Sequence, residues 1–231
     1  MLDIAGKWVL LTGASRGVGR QVAGALADAG CNLILQSRNR EHTAEQAELF
    51  RARGLTVHAL AAELSDQSRV VELGQEALRI SGGIDILFNN AAIQMPWHEN
   101  MFTTDSDEFL ASYQVNSIAP ITLCNLMLPG MIERRFGRIV NVTSGVKDMP
   151  QLMAYAASKA ALDKYVYDMA PHLGGTGVTM NLLDPGWLRT DLGGNEAPNP
   201  VESVLPGAMV PVLLEDGVSG KWFSAQDYRR D

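Results

Sequence analysis

Cysteine is scarce in this chain: Cys31 and Cys124 are its two, with no CxxC pair and no metal-ligand spacing among cysteines and histidines. A disulfide framework and a structural metal site are thereby excluded as organising devices, and a reducing, cytoplasmic compartment is expected. Basic charge is also in short supply. The 19 Lys and Arg stand against 26 Asp and Glu, a formal charge of −7 with no basic stripe, so neither nucleic acid nor an anionic membrane is expected as a partner. No stretch approaches about 18 uninterrupted apolar residues, and Met1-Leu-Asp-Ile-Ala-Gly-Lys7 carries no basic leader pattern, so neither a membrane span nor a signal segment is expected. Internal repeats and low-complexity runs are missing too. The loosest stretch, Gly193–Pro200, reads as a loop rather than a linker.

What is present is an alternation of short apolar runs with longer helical patterns. The runs at Trp8–Leu11, Asn32–Gln36, Thr56–Leu60, Ile84–Phe88, Arg138–Val142, Val178–Leu183 and Lys221–Phe223 read as strands. Between them Val18–Ala29, Thr43–Arg53, Gln67–Ile80, Ser106–Arg135 with a break near Asn116–Pro120, Ala154–His172 and Val201–Leu214 read as helices. That order predicts a single α/β domain over residues 1–231, a Rossmann-type doubly wound parallel sheet of about seven strands with helices on both faces. Ligands bind such sheets beyond the carboxyl ends of the strands.

The first strand ends in Thr12-Gly13-Ala14-Ser15-Arg16-Gly17-Val18-Gly19, which opens a helix. Glycines there permit a tight turn and close approach of backbone to a pyrophosphate, whose charge suits the helix N-terminus. The spacing is G-x-x-x-G-x-G rather than G-x-G-x-x-G. The same residues contain G-x-S-x-G, the nucleophile elbow of a hydrolase, but here it follows the first strand, and none of the four histidines, His42, His58, His98 and His172, follows a strand end in the required way. Where a carboxylate would bind the ribose 2′-hydroxyl of NAD, the second strand ends in Gln36-Ser37-Arg38. A guanidinium at Arg38, with Arg16 nearby, suits a 2′-phosphate, so NADP(H) is favoured over NAD(H).

Tyr155 and Lys159 stand four apart on a predicted helix and share a face, where the ammonium is expected to lower the phenol pKa. Ser144 supplies a hydroxyl at the end of the fifth strand.

Taken together, Thr12-Gly-x-x-x-Gly-x-Gly19, Asn89-Asn90-Ala91, Asn116, Ser144, Tyr155-x-x-x-Lys159 and Pro185-Gly186 with Thr190 resemble the short-chain dehydrogenase/reductase family, over about Lys7 to Asp191. The resemblance implies that Tyr155 is the general acid or base, that Lys159 also holds the nicotinamide ribose, and that Ser144 holds the substrate oxygen. It implies that Asn116 fixes a water leading from Lys159 to solvent. It places Asn90 and Ala91 at the adenine ribose, Glu63 and Leu64 at the adenine ring, and Pro185, Gly186, Trp187, Leu188 and Thr190 over the nicotinamide carboxamide. Three departures stand out: Ala92 where the family usually has glycine, a Ser144–Tyr155 interval of 11 positions, and a brief lid from Leu192 to Pro200. Met95, Trp97, Met149, Leu152 and Trp187 are expected to line an apolar substrate site. The function implied is hydride transfer between NADP(H) and a small or medium apolar ketone, aldehyde or secondary alcohol, with a 3-oxoacyl thioester as one candidate, by a homodimer or homotetramer. The alternative is a non-catalytic protein that senses NADP(H).

Overall fold

The computed structural model of the chain describes residues 1–229. Seven strands form one wholly parallel sheet: β1 (Trp8–Leu11), β2 (Asn32–Ser37), β3 (Val57–Ala61), β4 (Ile86–Asn89), β5 (Gly137–Val142), β6 (Val178–Asp184) and β7 (Trp222–Ser224), in the order β3-β2-β1-β4-β5-β6-β7. The apolar runs of β1, β2 and β4 follow from burial on both faces, since a strand covered on either side has no solvent face to carry polar residues. The chain winds outward from β1 to β3, then crosses to β4 and winds the other way. The point of reversal, between the carboxyl ends of β1 and β4, is where this architecture leaves a crevice.

One face is covered by α1 (Gly17–Asp28), α2 (Glu41–Ala52) and the short segments between Val201 and Leu213; Val22, Leu26 and Phe50 pack there on Val9, Leu33 and Phe88. The other is covered by α3 (Gln67–Ser81), α4 (Ser106–Tyr113), α5 (Ala119–Glu133) and α6 (Met153–Met169), with Leu73, Leu123, Met127 and Val166 on Leu10, Ile34 and Leu87.

Two sequence expectations change. The stretch Val201–Leu214 is not one helix. It divides into 3₁₀ turns at Val201–Val204 and Gly207–Met209 and a single α-turn, α7 (Val210–Leu213), because Pro206 and Pro211 cannot donate to the preceding carbonyls. The expected break near Asn116–Pro120 is a π-turn at Gln114–Ile118 that joins α4 to α5 without interruption. The resulting helix, Ser106–Glu133, is long and apolar enough to cross a bilayer by length and composition, but 56% of its apolar window is buried within the fold. It is the packing that explains its hydropathy: Leu123, Cys124, Met127 and Met131 lie in the core.

Candidate cofactor and catalytic site

The glycine loop lies at the sheet's switch point, and its shape is set by its neighbours. Gly13 has φ +65°, and a methyl group there would come within 2.8 Å of Ala91 Cα. A methyl at Gly19 would meet the Gly13 carbonyl, so both positions are closed to larger residues. The Thr12 hydroxyl, 2% exposed, accepts from the amides of Asn90 (3.0 Å) and Ala91 (3.1 Å), and Asn90 Nδ2 donates to the Thr12 and Gly13 carbonyls, both at 3.0 Å. The Asn90 side chain, expected at a ribose, is spent on bracing the loop.

Gln36 is a second brace that sequence reasoning missed. Its Oε1 accepts from Gly13 N (2.9 Å) and its Nε2 donates to the Ala62 carbonyl (2.8 Å), tying the ends of β1, β2 and β3 together. A glutamine in an apolar strand, standing where a carboxylate was sought, was the available signal. Ser37 is buried and bonds the Asn39 carbonyl, whereas Arg38 is exposed at the crevice rim. No side chain caps α1, and no acid stands in its first turn, so its leading amides and positive dipole end point into the crevice with Ser15, Gly17 and Val18 around them. Arg16 pairs with Asp191. At the rim Glu63 is exposed and accepts from Ser65, while the Leu64 side chain is buried in the core. Leu64, expected at an adenine ring, thus packs into the core beneath the rim.

Beyond β6, the Gly186 amide donates to Asp184 Oδ1 and Pro185 O accepts from Gln226 Nε2. Trp187 is 57% exposed with its indole N–H on the Gly193 carbonyl, and Leu188 is buried. The Thr190 hydroxyl accepts from Gly193 N within its own turn. A methyl group at Gly17 would lie 3.4 Å from the Thr190 methyl, so the glycine loop and this segment face each other.

The residues named as catalytic converge at the carboxyl ends of β5 and β4. Tyr155 and Lys159 lie on α6, 8% and 3% exposed. Lys159 Nζ donates to the Val142 carbonyl at 2.7 Å and sits 5.9 Å from the Tyr155 ring centroid. Burial lowers the Lys159 pKa to about 8, with Asp163 acting against the shift. The phenol is not lowered as the sequence suggested; its pKa is raised. Burial is the main cause, a hydrogen bond with Ser144 opposes it, and the carboxylates of Asp184 and Asp163 add to it. The ammonium reaches a backbone carbonyl rather than the phenol oxygen, so its charge does not offset the burial.

Asn116 is fully buried in the π-turn. Its Nδ2 donates to the Ile93 carbonyl (2.8 Å) and Ser158 Oγ (3.0 Å), and its Oδ1 accepts from Ile93 N (2.9 Å). Ser158 Oγ donates in turn to the Tyr155 carbonyl at 2.7 Å. Asn116 is thus joined to the helix of Tyr155 and Lys159 through Ser158, a link the sequence reading missed.

A tight cavity with no room for a water molecule adjoins Tyr155, bounded by Met95, Leu152 and Met153 and by His98 and Glu108. His98 Nε2 lies 2.8 Å from both Glu108 oxygens. Of the expected apolar lining, Met95 and Leu152 are at this cavity, while Trp97 and Met149 are exposed at the surface. The polar pair was not foreseen, since nothing in a histidine ten residues before a glutamate marks a contact.

A doubly wound parallel sheet with a glycine loop at its switch point and a buried Tyr–Lys pair beside it defines a dinucleotide-binding fold of dehydrogenase type. The sequence model of the short chain dehydrogenase family matches residues 7–200, and the chain belongs to that family. It is 37% identical to the ketoacyl reductase HetN of Nostoc sp. over 191 residues, 81% of this chain and 66% of HetN. Other curated relatives are spanned to 48% of their length, so the chain spans about half to two thirds of several of the curated proteins it matches. Among solved structures it superposes on a 3-oxoacyl (acyl-carrier-protein) reductase from Agrobacterium tumefaciens C58 with NADP bound, at TM-score 0.86 and 25% identity, over 96% of this chain and 93% of that one. NAD+-bound xylitol dehydrogenase shares the fold at TM-score 0.85 and 23% identity, over 96% and 98% of the two chains.

Proposed function

We propose that the protein is an NADP(H)-dependent oxidoreductase that moves hydride between nicotinamide and a small or medium apolar ketone, aldehyde or secondary alcohol. The observation that carries this is the convergence of Ser144, Tyr155 and Lys159 beside a braced glycine loop at one end of the sheet. The crevice fits a dinucleotide: the close approach at Gly13 and Gly19 leaves the backbone bare, and the uncapped N-terminus of α1 supplies donors for a pyrophosphate. Exposed Arg38, Arg16 in the glycine loop with only an exposed pair to Asp191, and no carboxylate at the end of β2 favour a 2′-phosphate. A bound NADPH supplies the hydride; the chain supplies everything else.

In carbonyl reduction Tyr155 donates its phenolic proton to the substrate oxygen, and Ser144 steadies that oxygen as charge develops on it. Lys159 holds the floor of the site through the Val142 carbonyl, and Asn116 fixes the helix geometry through Ser158. A 3-oxoacyl thioester is one candidate substrate, supported by the activities of HetN and the Agrobacterium reductase. The second reading, a protein that binds NADP(H) without turnover, is favoured by one observation: the phenol pKa is raised and the Lys159 ammonium is directed at a carbonyl.

Titration with NADPH and NADH, read by energy transfer from the four tryptophans, tests the nucleotide site. Preferential NADPH binding supports the assignment, NADH preference overturns the role of Arg38, and binding of neither overturns the dinucleotide reading. A carbonyl panel then separates enzyme from sensor: Tyr155→Phe abolishes turnover while keeping NADPH affinity if Tyr155 is the acid. Persistent reduction in that variant removes the assignment.

A further inference from the structure

One carboxylate stands at the catalytic end of the sheet outside the Ser144, Tyr155, Lys159 and Asn116 set. Asp184 is the last residue of β6, beside the point where β5 ends, and the two strands stay joined past Val142 by a 2.8 Å bond from Thr143 N to Leu183 O. Its two oxygens face two different segments. Oδ1 accepts from Gly186 N at 3.0 Å. Oδ2 overhangs Gly145, so closely that a methyl group on that residue would lie 2.7 Å from it. Residue 145 must therefore lack a side chain for as long as Asp184 holds this position. One half-buried side chain spans the segment that carries Ser144 and the segment that begins Pro185-Gly186.

We propose that Asp184 is a positioning residue for the chemistry of Tyr155, clasping the Ser144–Gly145 segment to the Pro185–Gly186 segment and setting a negative charge at the same end of the sheet as the phenol. The consequence for reaction direction rests on the oxidoreductase reading; the clasp and the charge do not. Asp184 has its own pKa raised, by burial first and by the Asp227 charge, while the amides of Gly186 and Gly145 act to keep it ionised. Around the phenol stand Ser144 from the end of β5, Asp184 from the end of β6, Lys159 and Asp163 from its own helix, and His98 and Glu108 across the adjoining cavity. Asp184 and Asp163 both disfavour the phenolate. The protonated phenol is the form that gives a proton to a carbonyl oxygen, so the acid needed for reduction is kept over a wider pH range. Alcohol oxidation, which needs the phenolate as base, is pushed to higher pH.

The test reads the phenol in the protein without cofactor. The near-ultraviolet phenolate absorbance of the parent and of Tyr155→Phe is followed with pH, and the step missing from the variant belongs to Tyr155. In Asp184→Asn, which keeps the acceptor for Gly186 N and removes the charge, that step is expected about half a unit to one unit lower; an unmoved step overturns the charge role. Amide hydrogen exchange at Gly145 and Gly186 reads the clasp. Exchange is expected to be faster in Asp184→Ala than in Asp184→Asn, and equal protection in the two overturns it. Because neither reading uses nucleotide, failure of the parent to bind NADPH would count against the oxidoreductase assignment alone.

Discussion

Arg16 in the glycine loop and Asp191 beyond the end of β6 form an ion pair across the crevice, with side chains 64% and 69% exposed. An exposed pair of this kind gains little over its hydration, so a phosphate dianion can take the guanidinium from Asp191. Asp191 is then a competitor for the group assigned to the 2′-phosphate. Asp191→Asn is expected to tighten NADPH binding about two- to fivefold and leave NADH unchanged, measured by titration in low salt. Equal gains for both nucleotides would show that the pair acts on access rather than on the phosphate.

Arg38 has a separate consequence. With no carboxylate at the end of β2, Arg38→Asp places an acceptor where a ribose 2′-hydroxyl would lie and a repulsive charge where a 2′-phosphate would lie. The ratio of NADPH to NADH affinity should fall at least about tenfold, the worth of one charge-assisted contact. An unchanged ratio would remove Arg38 from the site.

Lys159 is a costly residue to bury. Its pKa is about 8 in the folded protein against 10.5 for the free side chain, so between those values the unfolded chain binds more protons and stability rises with pH. Below about pH 8 the ammonium is buried at full cost. Lys159→Met is therefore expected to raise stability at pH 7 by about 1–3 kcal/mol while abolishing turnover, the gain shrinking as pH climbs from about 8 toward 10.5. Denaturation midpoints at several pH values check the trend; a gain that does not change with pH would deny that the ammonium is the cause.

Ser158 carries the link between Asn116 and the catalytic helix. Ser158→Ala leaves one Asn116 donor hydrogen without its serine partner in a fully buried place, at a cost of about 1–3 kcal/mol. If the link also sets Tyr155, kcat falls while the KM for NADPH stays put; a loss of stability with unchanged kcat would confine Ser158 to folding.

The strand pattern was legible because a parallel sheet buried on both faces writes itself as short apolar runs, and Val9–Leu11, Leu33–Leu35 and Ile86–Phe88 are such runs. The glycine loop, Tyr155 and Lys159 were legible because glycine, phenol and ammonium at fixed spacing have few other reasons to occur in that order. What escaped was set by contacts distant in sequence. Gln36 meets Gly13 across 23 positions, Asn116 meets Ser158 across 42, and Lys159 meets Val142 across 17. The direction of the Tyr155 shift escaped for the same reason: residue spacing shows the ammonium nearby, but not the depth of burial or the carboxylates of Asp163 and Asp184. The continuity of the Ser106–Glu133 helix escaped because a π-turn leaves an extra residue without any mark in composition.

Gln36 allows the bracing of the glycine loop to be separated from its charge. The side chain is 2% exposed and satisfies Gly13 N and Ala62 O together. Gln36→Leu fills the space but leaves both backbone groups unpaired, a loss of about 2–4 kcal/mol if neither finds water. Gln36→Glu keeps the acceptor for Gly13 N, gives up the donor to Ala62 O and buries a charge, so it should destabilise at least as much at neutral pH and less in mild acid, where the carboxyl is protonated and can donate. If the brace holds the loop in its binding shape, the leucine variant binds NADPH several-fold more weakly at a temperature where it is still fully folded. Retained affinity in that variant would mean that Asn90, from the β4 side, holds the Thr12–Gly13 turn without help from β2.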